Sequence, residues 1–337
     1  MKKLLLALSV IATIAQGCEQ IEKKDGTGNE NGKSIVRFCL DDSSVNGGSA
    51  STKLTGSSDE EALNNVEFII FDDSGEYVTS LLTDGATAEM EIYEGSYTAA
   101  AIVNMGQSHA GENFSYGSVD EISVPLEDNS KGNLIMYAEK SFTIDESGAD
   151  VNMEARRNVA KIAVGTIKNE MKDPVFQKQA FEIQRIFVSN VSGLSDLRGE
   201  NSPTVWYNKN GLWEDETDDI KSLLEDDNID RTIALHGEYS QEHYYYVYPN
   251  DIADDSYDAL WSPRFTRLVI EAALDGKTCY YPIPFGNIEA NHSYIINNLT
   301  ITKPGTDNPW ERIDGEMCNF TITVVDWEKG LTTDKII

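Results

Sequence analysis

From Val66 onward the chain is a succession of short runs of β-favouring residues separated by turn residues, without any long helical periodicity. In the first run, VEFIIFDDSGEYVTSLL, Asp73-Ser74-Gly75 predicts the turn of a hairpin. A second hairpin is predicted with its turn at Glu94-Gly95, and further strands on either side of a break at 145–148. Leu274 to Thr278 carries the Asp-Gly signal of a tight hairpin. Short strands at this spacing predict an all-β chain built from β-sandwiches.

Two such sandwiches fit the 337 residues. One strand array ends near Arg156 and another begins there, so we predict an N-terminal β-sandwich over 34–155. A C-terminal β-sandwich, with a C-terminal tail, is predicted over 156–337. The segment DDIKSLLEDD predicts one short helix.

The N-terminus predicts an exported protein. Two lysines precede an apolar run from Leu4 to Ala15, and small residues lead to Cys18, which is the pattern of a signal peptide over 1–17. Ala-Gln-Gly-Cys also resembles a bacterial lipobox, which implies cleavage before Cys18 and lipidation of this cysteine. The polar, Gly/Asn-rich residues 18–33 would then be a lipidated flexible tether. An ordinary signal peptide with a chance cysteine is the less favoured alternative.

Charge and motifs exclude several functions. The chain has 57 acidic and 27 basic residues, a net charge of −30, and such a surface repels nucleic acid. No nucleophile motif and no metal-ligand spacing is present, so we predict no catalytic residue, no metal and no cofactor. A hydrolase using paired carboxylates is the weakest alternative. Cys279 and Cys318 could form a disulfide, but buried thiols are favoured.

The first predicted strand is SIVRFCL, with Val36, Phe38 and Leu40 on one face and alternate residues on the other. The following residues, 41–61, have almost no apolar side chains and predict a long exposed loop. Lys53 in this loop is a candidate cleavage site for a trypsin-like protease.

Several stretches together resemble one family. They occur in order over most of the chain: VEFIIFDDSGEYV, YEGSYTAAAIVN, RRNVAKIAV, YYVYPN, TRLVIEAALDGKTCYYPIPF, NHSYIINNLTIT and TVVDW. The order of these stretches along the chain is similar to that in the FimA/Mfa-like fimbrillins, the type V pilins of Gram-negative anaerobes. The resemblance implies two tandem transthyretin-like β-sandwich domains, export as a lipoprotein held in outer-membrane lipid through Cys18, and assembly with other fimbrial subunits into a homo- or heteropolymer at the cell surface.

The resemblance also implies donor-strand exchange: a protease cuts the loop after the first strand, that strand leaves, and a segment of another subunit replaces it. Here the departing strand would be Ser34 to Leu40, expected at a replaceable edge, and the cut would follow Lys53, where the family usually has arginine. The strand-like FTITVVDW could be donated, but the free-ended GLTTDKII is favoured. In this donor segment Leu331, Thr333 and Ile337 share one face.

A second function remains open: a lipid-anchored surface protein that does not polymerise and binds glycans or host proteins. An exposed aromatic patch at Trp206, Trp213 and Tyr207 would favour it. Packing of these three side chains beneath an irregular loop is the favoured interpretation.

Overall fold

The computed structural model describes residues 32–41, 59–213, 216–313, 315–326 and 332–335. The chain is all-β within these ranges, as the sequence predicts. The predicted short helix is present as α1, Asp218–Leu224, in which the Thr217 side chain accepts a hydrogen bond from the Ile220 amide. Short 3₁₀ turns cover Tyr116–Glu121, Leu126–Asp128, Phe176–Lys178 and Lys209–Gly211.

The strands of the first half are β1 Lys33–Asp41, β2 Val66–Asp72, β3 Tyr77–Thr83, β4 Thr87–Tyr93, β5 Gly95–Val103, β6 Ser123–Pro125, β7 Met136–Ile144, β8 Ala149–Glu154 and β9 Arg156–Arg157. Those of the second half are β10 Ala160–Asn169, β11 Phe181–Ser189, β12 Val191–Ser192, β13 Leu194–Asp196, β14 Trp206–Tyr207, β15 Glu225–Asp226, β16 Arg231–Thr232, β17 Glu238–Tyr239, β18 His243–Val247, β19 Thr266–Leu274, β20 Lys277–Phe285, β21 His292–Ile301, β22 Cys318–Asn319, β23 Ile322–Asp326 and β24 Thr332–Lys335.

Two sheets form the first half. The smaller sheet has the order β4-β1-β8, and the larger has the order β3-β2-β5-β7-β9. Alternate side chains of β1 meet the larger sheet in a shared apolar core, where Phe38 contacts Phe68 of β2 and Phe142 of β7. The arrangement is a two-layer sandwich of the kind the alternation predicts.

The predicted hairpin around Glu94-Gly95 is wrong. β4 belongs to the smaller sheet and β5 to the larger one, so the chain passes from one layer to the other at this point. β4 instead pairs along its length with β1, from Lys33 opposite Tyr93 to Cys39 opposite Thr87. A Glu-Gly turn is compatible both with a hairpin and with a crossing between two sheets. Pairing of β4 with β1, which is distant in the sequence, selects the crossing.

The second half also consists of two main sheets. β10, β17, β18, β21, β22, β23 and β24 form one, and β11, β15, β16, β19 and β20 form the other. The predicted Asp-Gly hairpin joins β19 and β20, with Leu274 paired to Lys277. Asp275 and Gly276 have φ values of +50° and +82°, the left-handed backbone that a type I′ turn requires.

Contacts between the halves are extensive. β6 of the first half pairs with β13 of the second. The phenol of Tyr248 donates to the carbonyl oxygen of Pro125 and accepts from the amide of Asn129. β9 still pairs with β7, whereas β10 begins the second set of sheets. The exact boundary at 155/156 stays a prediction.

Candidate functional site

β1 is the central strand of its sheet. It runs antiparallel to β4, with seven residue pairs, and parallel to β8, with six. The expectation that this strand lies at a sheet edge is therefore wrong. The sequence of β1 gives no sign of a parallel partner more than a hundred residues later, because pairing depends on how the whole chain folds. We call the space that β1 fills between β4 and β8 the β1 groove.

The inner face of β1 is apolar and buried. Val36, Phe38 and Leu40 are each 3% exposed or less, so the alternation read from the sequence is present. The Phe38 ring lies 5.6 Å from the ring centroids of both Phe68 and Phe142, edge-on to the second. These contacts form the floor of the groove. That β1 leaves this groove during assembly stays a prediction.

The outer face of β1 carries charge. Arg37 lies opposite Glu89 of β4 and Asp150 of β8 in the strand register. Its Nε atom donates to Glu89 Oε1 at 2.9 Å, and an Nη1 atom lies 3.8 Å from Asp150 Oδ1. Ile35, on the same face, is 44% exposed. Neither carboxylate was predicted, because acidic residues are so common in this chain that the sequence does not distinguish them.

Gly148 lies at the turn between β7 and β8, in close contact with the backbone of β1. It has a φ of +82°, and a Cβ atom at this position would overlap the carbonyl oxygen of Ile35. Only glycine satisfies both the left-handed backbone and the close approach of β1.

We expect Gly148→Ala to destabilise the protein more than Gly276→Ala. Gly276 has the same φ of +82° but nothing within 4 Å of its Cβ position, so it measures the backbone cost alone, roughly 1 kcal/mol. The overlap with β1 should add about 1–3 kcal/mol. Denaturant unfolding gives the free energies, and amide exchange should show the extra loss in β1. Equal losses would contradict this contact.

Several predicted residues lie outside the described ranges. Cys18, Lys53, Leu331 and Ile337 are among them. Thr333 belongs to β24, which pairs with β23 and places Thr333 opposite Val324. Part of the predicted donor segment is thus a strand of the second half in this structure.

The aromatic residues proposed for glycan binding do not form an exposed patch. Trp206 is buried and meets Trp261 edge-on at 5.7 Å, and Trp213 packs against Phe187 at 6.4 Å. Tyr207 is half-buried and lies against Gly193. The packing interpretation fits all three.

The next candidates are the two cysteines that could form a disulfide and the possible metal ligands. Cys279 and Cys318 are buried thiols rather than a disulfide pair, and burial raises the pKa of Cys279. No group of three or more metal-ligating side chains occurs among the described residues. In the same part of the chain, no helix is long and apolar enough to cross a membrane.

A contact missed by the sequence analysis is centred on Glu60, which is 1% exposed. Its carboxylate accepts hydrogen bonds from Lys161 of β10 at 2.8 Å and from Tyr246 of β18 at 2.6 Å. Its carbonyl oxygen accepts from the Arg157 guanidinium at 3.0 and 3.1 Å. The start of the segment that leads into β2 is thereby fixed to the second half.

The fold and the groove define a class of protein: within the described residues it is an all-β chain of paired sheets whose first strand lies between two later strands of the same sheet. The tip fimbrial protein Mfa3 and the fimbrilin FimA of Porphyromonas gingivalis share this fold. FimA is 17% identical over 87% of this chain and 97% of its own, with a TM-score of 0.60. Mfa3, with a C-terminal truncation, is 11% identical over 86% and 99%, with a TM-score of 0.51.

A candidate cell adhesion protein from Bacteroides eggerthii has the same fold, with 16% identity over 90% of this chain and 98% of its own and a TM-score of 0.66. No protein family model and no curated protein matches the sequence. At these identities the likeness establishes the fold.

Proposed function

We propose that the protein is a structural or adhesive subunit of a cell-surface fimbrium, assembled by proteolysis-triggered donor-strand exchange. The observation that carries this proposal is the position of β1, which fills a two-sided groove yet precedes every other described strand in the chain. A cut in 42–58 would break the chain connection between β1 and β2.

Departure of β1 would make the entry of a replacement strand strongly favourable. It would unpair the backbone groups of β4 and β8 that face the groove and would expose the floor beneath three apolar side chains. Burial of such side chains contributes roughly 1.5–3 kcal/mol each. An extended segment of another subunit restores both the hydrogen bonds and the burial, which is strand addition.

The remaining parts of this proposal concern Cys18 and Lys53, which lie outside the described ranges, and a C-terminal segment of which only 332–335 are described. Lipidation of Cys18 would tether the subunit to the outer membrane, Lys53 would be the cut site, and the segment with Leu331, Thr333 and Ile337 would be donated. The structural relatives support the proposal, since FimA and Mfa3 are named as fimbrial proteins. Host or bacterial surface ligands would be further partners.

Brief trypsin treatment tests the cut and the exchange together. We expect one early cut near Lys53, after which the cut protein takes up a fluorescent synthetic β1 peptide, residues 33–41. The Lys53→Gln variant should stay intact and take up none. Gel filtration with fluorescence detection measures uptake. A cleanly cut, folded protein that takes up no peptide would contradict strand exchange.

A further inference from the structure

The outer rims of the β1 groove are acidic. On β4, Glu89 and Glu91 lie opposite Arg37 and Ile35, and on β8, Asp150 lies opposite Arg37. All three carboxylates are on exposed positions, with Glu89 and Asp150 having side chains 60% and 61% exposed. Arg37 contacts both sides of this rim, whereas Lys33, the other cation on the outer face of β1, lies over the Tyr93 ring.

Removal of β1 leaves this rim uncompensated. Glu89 and Asp150 then face each other across one vacant strand position, about 10 Å apart. Because directly opposed like charges destabilise a sheet and opposite charges stabilise it, a strand with a basic residue at this register enters more favourably than one without it. The net charge of −30 strengthens the preference at low salt.

We propose that the β1 groove selects a partner segment with lysine or arginine at the register of Arg37 and apolar residues at the flanking inward positions. This specificity rests on the proposed strand exchange. Glu89 and Asp150 are the determinants of the charge, and the contact of Phe38 with Phe68 and Phe142 favours an aromatic residue at the middle inward position.

The C-terminal tail of the same chain does not fit this pattern. Leu331, Thr333 and Ile337 share their face with Lys335, so inserting that face would bury an ammonium group in the apolar floor. Placing Lys335 at the Arg37 register instead would turn Asp334 inward. We therefore expect the segment that fills this groove to come from a different subunit rather than from the 331–337 segment of a second copy.

Peptide exchange tests the charge selection. The protein is cut at a specific protease site placed within 42–58 and then offered fluorescent peptides of sequence 33–41, all with Cys39→Ser. We expect the peptide with Arg37→Glu to bind about tenfold more weakly than the peptide with Arg37 at low salt, and the difference to shrink at 0.5 M NaCl, since exposed ion pairs are screened. A groove with Glu89→Lys and Asp150→Lys should prefer the peptide with Arg37→Glu.

The outcomes separate the two proposals. If the peptide with Arg37 and the peptide with Arg37→Glu bind equally well, charge selection is refuted while strand exchange stands. If no peptide enters the cut protein, strand exchange itself is refuted, together with its specificity. Entry of a 327–337 peptide as tight as that of the peptide with Arg37 would refute the conclusion that the donor is a different subunit.

Discussion

Replacing Glu60 by alanine is expected to lower the free energy of unfolding by about 3–5 kcal/mol, since breaking a buried ion pair leaves its partner charged and unpaired. Lys161 is 5% exposed, and its ammonium group contacts both the Glu60 carboxylate and the Tyr244 ring, whose centroid is 4.8 Å away. Alanine also removes the acceptor of the Tyr246 phenol. Burial and the bond to Glu60 raise the pKa of Tyr246, so this phenol stays a donor.

The neighbouring residue provides the control. Asp59 lies 3.8 Å from Lys131, but its side chain is 63% exposed and that of Lys131 is 43% exposed. Asp59→Ala should cost less than about 1 kcal/mol. Guanidinium unfolding of both variants measures the difference, and equal losses would contradict the buried role of Glu60.

A double variant separates the charge from the packing. In Glu60→Leu with Lys161→Met both charges are absent, and we expect it to recover much of the stability that Glu60→Ala loses, as apolar replacements of buried pairs often do. A double variant as unstable as Glu60→Ala would mean that the hydrogen bond to Tyr246, rather than the ion pair, dominates.

The position of Glu60 also matters for the proposed exchange. It lies near the start of the second described range, seven positions after Lys53, and it is tied to β10 and β18. A cut at Lys53 would leave the downstream end fixed to the second half by this contact, whereas it would break the chain connection between β1 and β2. In the proposed exchange the two sides of the cut would therefore differ, with the upstream side being the one that leaves.

Local features of the fold were readable from the sequence. The alternation of Val36, Phe38 and Leu40 and the Asp275-Gly276 turn depend on residues within a few positions of each other, so the sequence carries them directly. Glu94-Gly95 looks equally local, yet its strands lie in different sheets because β1 pairs with β4.

The charged part of the groove and the Glu60 contact each join residues that are far apart along the chain. Arg37 and Glu89 are 52 residues apart, and Glu60 and Tyr246 are 186 apart. In a chain with 57 acidic residues, no local signal marks the few that meet a cation. The sequence thus predicted which face of β1 is apolar, but not what lies opposite its polar face.

Replacing Phe38 by alanine is expected to have the largest effect on how firmly β1 is held. Truncation of a buried phenylalanine costs about 3–5 kcal/mol, the sum of lost burial and the cavity left behind. Here the cavity would open against Phe68 and Phe142, which belong to two strands of the larger sheet. Since neither ring can move far within its own sheet, we expect little collapse and a cost within this range.

Ile35→Ala is the matched control, because Ile35 is on the same strand but 44% exposed. It should change the free energy of unfolding by less than about 0.5 kcal/mol. About 3 kcal/mol corresponds to roughly two orders of magnitude in an equilibrium constant. Because affinity differences within one interface fall mostly on the dissociation rate, the Phe38→Ala strand should dissociate about a hundredfold faster than the wild-type strand after a cut within 42–58. The Ile35→Ala strand should dissociate at nearly the wild-type rate.

Release of a fluorescent label attached upstream of β1 measures these rates. If Phe38→Ala and Ile35→Ala release β1 equally fast, the inner face does not hold the strand, and backbone pairing with β4 and β8 must supply most of its stability. In that case an aromatic residue at the middle inward position would not be needed in the partner, whereas the charge preference at the Arg37 register would be unaffected by this result. The Phe38 measurement therefore decides whether side-chain packing limits which segments this groove can accept.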